Sequence, residues 1–91
     1  MTFIPPHALD AEVAVLAGCI STLTVANDAA DRLKPEDFYR SAHRTVFVVV
    51  QQLLGKHAVP DLAAVEARLR DEGTLEEVGG VDALLSLADS F

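Results

Sequence analysis

Ser41 to Gly55, which reads SAHRTVFVVVQQLLG, is the longest apolar stretch of the chain, and whether it forms a strand or a helix decides the fold. As a strand it does not sort. Val46, Val48 and Val50 would fill one face, while Phe47 and Val49 make the other equally apolar. At the helical angle Val46, Phe47, Val49, Val50, Leu53 and Leu54 gather in an arc of roughly 160°, with Arg44, Thr45, Gln51 and Gln52 opposite. Ser41 suits an N-cap, and Gly55 the position just past a helix end. The β-branched valines oppose helix by about 1 to 2 kcal/mol in total, against roughly 1.5 to 3 kcal/mol for burying each of six large apolar side chains. A helix is therefore expected. Val48 is its one misfit: it projects into the middle of the polar face, where it is a candidate contact for another subunit or a partner domain.

The rest of the composition frames this helix. The chain has 91 residues, 51% of them hydrophobic, with 14 acidic against 7 basic side chains for a formal charge of -7. One domain of this size buries only about 60 to 65% of its unfolded surface, so a mean hydropathy of +0.28 leaves apolar surface for association. The acidic balance opposes phosphate backbones, and no run of Lys or Arg is interleaved with stacking aromatics, so direct nucleic-acid binding is not expected. Arg32, Lys34, Arg40 and Arg44 are clustered, but Asp31, Glu36 and Asp37 lie among them, as on a solvated mixed-charge face.

A single cysteine excludes an internal disulfide framework and fits a reducing, cytoplasmic setting. Leu16-Ala17-Gly18-Cys19 spells a lipoprotein cleavage pattern, yet no Lys or Arg precedes Arg32, and Asp10 and Glu12 stand where an export signal needs cationic and apolar regions. Cys19 is instead expected in the core. No apolar run reaches the length of a membrane span.

In chain order, Pro5 and Pro6 make residues 1–6 an extended arm, and residues 7–91 a helical head. A first helix from about Ala8 to Thr22 has an apolar ridge of Leu9, Val13, Leu16 and Ile20. Its second face of Ala11, Ala14 and Gly18 is small enough to seat another element or subunit. A second helix, about Thr24 to Leu33, turns Val25, Ala29 and Leu33 inward and stops before Pro35. In the following turn, Phe38 and Tyr39 are expected to plug the core at the entry to the Ser41–Gly55 helix. After a connector, Asp61 caps a helix from Leu62 to about Glu72 that Gly73 ends. Thr74 to Glu77 has a capping-box pattern for one short turn, closed by Gly79 and Gly80. A last helix presents Val81, Leu84, Leu85 and Ala88 at helical spacing. The whole is an all-α, compact orthogonal bundle of about five to six helices.

Chemistry is scarce. His7, His43 and His57 share no ligand spacing with one another or with Cys19, so no metal site is expected. Gly79 and Gly80 lack the Lys and Ser or Thr of a phosphate loop and follow no strand. Asp89-Ser90 has the dipeptide of acyl-carrier attachment sites, but that serine opens a helix, whereas here only Phe91 follows. His43, next to Arg44, has no nearby Ser or Cys at a defensible geometry for a catalytic pair. No catalytic residue and no cofactor is assigned.

The pattern resembles the N-terminal domain of replicative DNA helicases of the DnaB family, nearly end to end. Pro5, Pro6, His7, Ala11, Glu12, Val15, Leu16 and Gly18 resemble the family's opening. Pro35 to Tyr39 with Ala42, His43, Arg44 and Phe47 resemble its middle signature. Pro60, Asp61, Leu62, Val65, Leu69, Gly73, Leu75, Val78, Gly79 and Gly80 resemble its end. Ala8, Val13 and Lys34 depart from the family's usual serine, glutamine and capping residue, which weakens local caps. The resemblance implies a non-catalytic head in the collar of a ring hexamer, with primase and other helicase subunits as partners. The downstream hairpin and the ATP-driven motor would lie outside these residues. A free-standing adaptor that binds a helicase or primase is the alternative, and the related helicase-binding domain of primase a third.

Overall fold

The computed structural model describes residues 6–90. Those residues form five α-helices, α1 (Pro6–Ser21), α2 (Leu23–Arg32), α3 (Ser41–Gly55), α4 (Leu62–Asp71) and α5 (Gly80–Asp89), with 3-10 turns at Pro35–Asp37 and Glu76–Val78 and no strand among them. Of the expected arm, residues 1–5 lie outside the described residues. Pro6 takes the first position of α1, where a proline's fixed φ suits a helix start.

α1 and α3 share the centre. α1 packs on each of the other four helices, and α3 on α1, α2, α4 and both 3-10 turns. The C-terminal half of α1 is enclosed all round: Leu16, Ala17, Gly18, Cys19 and Ile20 are buried in succession. Only Thr22 separates α1 from α2. Its hydroxyl accepts the Val25 N–H at 3.1 Å, capping α2 one residue earlier than the sequence pattern suggests. Ala29 is buried and Leu33 packs against the core, both inward as expected, while Val25 is only half-buried and its neighbour Ala26 takes the inner place.

The helix reading of Ser41–Gly55 holds. His43, Val46, Phe47, Val49 and Val50 are buried, and Leu53 and Leu54 pack against the core from its edge. The caps differ from expectation. Arg40 occupies the N-cap without a side-chain bond, so Ser41 is already helical, and Gly55 is the last helical residue. The left-handed position that ends the helix falls on His57, with φ 60°. There the His57 N–H donates to the Leu54 carbonyl at 3.0 Å and the Ala58 N–H to that of Leu53 at 2.8 Å, the paired bonds of a Schellman ending.

α4 starts as expected, with the Asp61 carboxylate accepting the Ala64 N–H at 2.9 Å, and ends at Gly73, whose φ is 73°. The capping box beyond it does not form. The Thr74 hydroxyl donates back to the Leu69 carbonyl at 3.4 Å, leaving Leu75 to start the turn without a side-chain cap. Gly79 at φ 104° and Gly80 at φ 77° then redirect the chain into α5; a Cβ on Gly79 would come within 2.8 Å of the Ala83 Cβ. α5 buries Leu84 and Leu87, and of the four residues at helical spacing leaves Val81 and Leu85 37% and 46% exposed. Its six apolar residues after Gly80 spread over about 200° of the helix, so periodicity alone leaves the phase open. The glycine turn sets it.

Candidate functional site

Six residues singled out in the sequence come together where α1 meets the start of α3. Glu12 reaches out of α1 with both oxygens engaged: Oε1 lies 2.7 Å from His43 Nδ1, and Oε2 accepts the Tyr39 backbone N–H. Both side chains of this contact are about one-tenth exposed. Burial pushes the Glu12 carboxyl up, but the Tyr39 N–H, His43 and the Arg40 N–H together outweigh it and hold the group below its ordinary 4.5. From the other side, Arg44 Nε donates to the Phe38 carbonyl at 2.8 Å and its Nη2 to the Tyr39 carbonyl at 2.6 Å. The approach to α3 is thus gripped at the Tyr39 N–H by α1 and at the Phe38 and Tyr39 carbonyls by α3.

The grip seats Phe38, which is 3% exposed, against Phe47 with ring centroids 4.8 Å apart. Such a pair adds about 0.5 to 1.5 kcal/mol beyond its buried area. Tyr39 is 55% exposed, against the expectation that both aromatics plug the core. Phe38 and Arg40 have extended backbone, so successive side chains alternate and only one of the neighbouring aromatics can turn in. Upstream, the family's missing cap at Lys34 is offset from the other end of the turn. Asp37 accepts the Lys34 N–H at 2.8 Å and donates its own N–H to the Lys34 carbonyl.

The other singled-out residues stand apart from this clasp. Asp61 caps α4, Gly79 and Gly80 form the turn into α5, and Pro6 opens α1. Of the proposed contact residues, Ala11 and Ala14 are exposed on α1, Val48 is half-buried outside the core cluster, and Gly18 is buried within the chain. Gly18 therefore belongs to internal packing, because the enclosed end of α1 leaves it no outer face.

Beside the clasp is an apolar cleft of about 330 Å³, between the start of α3 and the far flank of α5, which do not pack on each other. Val13, Ala42, Val46, Val78 and Leu87 line it, with His43 and Arg40 at its rim. Sequence periodicity carries no signal for it, since it lies between two helices far apart in the chain.

This geometry grips backbone. Glu12 is the one hydrogen-bond partner of the His43 side chain among the described residues, and no hydroxyl or thiol joins them. No buried side-chain nitrogen or oxygen lacks a partner, and no three metal-ligating side chains converge, among the same residues. Nor is any of their helices long and apolar enough to cross a membrane. Fold and clasp together define a small helical domain whose polar side chains at the clasp go into fixing its own shape.

Residues 4–91 match the model of the DnaB-like helicase N terminal domain. The chain is 39% identical over 87 residues to the replicative DNA helicase DnaB of Geobacillus stearothermophilus, which takes in 96% of this chain and 19% of that protein. It is 34% identical over 87 residues to the DnaB of Haemophilus influenzae, again 19% of the longer protein. The crystal structure of the N-terminal domain of DnaB helicase from Mycobacterium tuberculosis superposes with a TM-score of 0.89 at 35% identity, covering 97% of this chain and 61% of that one. The chain belongs to the DnaB-like helicase N-terminal domain family, and it spans about a fifth of the length of these curated relatives.

Proposed function

We propose that these residues act as the non-catalytic N-terminal interaction head of a cytoplasmic replicative DNA helicase, which takes its place in the collar of a homo-hexamer and helps recruit primase. The observation that carries the reading is the end-to-end likeness to a DnaB N-terminal domain, at a TM-score of 0.89. Charge supports it: at -7 the head repels phosphate, so its business is with proteins. Within the basic cluster near the clasp, the Arg44 guanidinium is committed to the Phe38 and Tyr39 carbonyls and that of Arg32 to Asp28.

Titration calorimetry against the cognate primase, and against the motor-bearing helicase, tests the proposal. Saturable binding to primase, with no ATP hydrolysis and no affinity for single-stranded DNA at physiological salt, is the expected outcome. Binding to intact helicase rings without binding to primase would favour the adaptor reading instead. Micromolar DNA affinity would overturn both.

A further inference from the structure

Charge is segregated along this chain. Asp71, Glu72, Glu76, Glu77, Asp82 and Asp89 follow Arg70, and no Lys or Arg does, so the last 21 residues carry nearly all of the net -7. In the fold they form the end of α4, the second 3-10 turn and α5, and all six carboxylates are exposed. Only Glu72 has an ion-pair partner among the described residues, Arg68 at 3.0 Å.

An apolar line runs through this acidic region. Val81 and Leu85 are one turn apart on α5 and are two of the five large hydrophobic residues that the described chain exposes; half-buried Ala88 continues the line by another turn. Leu84 and Leu87 hold the adjoining flank to the core. On the outer flank Asp82 and Asp89 project about 80 to 100° further round the helix, and Glu76 and Glu77 precede its start.

We infer that the outer face of α5 is a docking surface for a basic amphipathic helix of a partner protein. Apolar residues of that helix, spaced one turn apart, seat against Val81 and Leu85, and Lys or Arg on its flank meets Asp82, Asp89 and the acidic turn. Charge selects this occupant over the others. A second copy of the chain would bring its own acidic segment onto the same surface across a two-fold axis, setting like charges opposite one another. Nucleic acid and anionic lipid carry the wrong sign altogether. The inference deepens the docking role proposed above by giving it a surface, and the two can fail separately.

The probe is an 18-residue peptide with leucines at helical spacing and lysines on the other face, set beside a permuted peptide of the same composition with no apolar stripe. Calorimetry should give one saturable site for the first, at least tenfold tighter than for the second. V81D/L85D should weaken it at least tenfold, D82N/D89N should weaken it and flatten its salt dependence, and A63D/A67D, which adds the same charge on exposed α4 positions, should leave it unchanged. Melts confirm that each variant is folded; V81S/L85S replaces the double aspartate if that variant is not. Equal affinity for both peptides, or unchanged affinity of V81D/L85D, would overturn the surface. So would self-association of the chain that V81D/L85D abolishes, because it would assign the face to a second copy. Primase binding that survives V81D/L85D would leave the docking role standing and remove this face from it.

Discussion

Glu12 holds the segment between the first 3-10 turn and α3 from one side, and its charge is what makes the hold strong. A carboxylate that accepts from a backbone N–H and pairs with an imidazole at 2.7 Å, while about one-tenth exposed, loses those bonds when it is protonated. Its folded pKa lies below 4.5, so the folded state binds its proton less readily than the unfolded chain does. The sign follows: the contribution is complete at neutral pH and is lost as pH falls from the ordinary carboxylate range through the lowered folded value. Glu12→Gln should lower stability at pH 7 by about 1 to 3 kcal/mol, the usual cost of weakening bonds to a mostly buried group. It should also flatten the acid limb of a plot of melting temperature against pH, so parallel limbs for wild type and variant would refute the assignment. None of this was legible in sequence. Glu12 and His43 are 31 residues apart, and no local spacing rule links a carboxylate on one helix to an imidazole on another.

At the scale of elements, legibility followed how lopsided each helix is. α3 has six large apolar residues within one arc, and the structure buries or half-buries all six. α5 spreads its apolar side chains over more than half of its circumference, so spacing alone leaves its phase open, and the two left-handed glycines set how the chain enters it. The small face of α1 divided, with Gly18 taken inside and Ala11 and Ala14 left out, because the helix is enclosed only along its second half. α3 provides a test of phase within three residues. Val50 is fully buried, and Val48, two positions away, is half-buried outside the core cluster. Val50→Glu puts an unpaired charge in a dry core and should cost several kcal/mol, on the order of 4 or more, enough to unfold a domain this small. Val48→Glu should cost under about 1 kcal/mol, as surface changes do. Thermal melts of the two decide it; equal losses would place Val48 in the core and rule it out as a contact residue.

Across the whole molecule, one cluster takes residues from every helix: Leu16, Cys19 and Ile20 from α1, Ala26 and Ala29 from α2, Val46 to Val50 in part from α3, Val65 and Leu69 from α4, Leu84 and Leu87 from α5. A radius of gyration of 12.1 Å is what a single compact body of this length should have, about 12 Å. With no second core to hold on to, no helix can leave without opening the rest, and unfolding should be one cooperative step. Cys19 reports on that step. It is 1% exposed, and burial pushes its thiol from 9.0 up to about 11, so neither access nor the reactive thiolate is available in the folded state. Alkylation with iodoacetamide at pH 8 should therefore be slow in buffer, and should accelerate with urea along the same curve as the loss of helical circular dichroism. Labelling that runs ahead of that curve would mean that α1 opens locally while the other helices stay packed. Labelling at the rate of a free thiol in buffer would mean that Cys19 is not in the core at all.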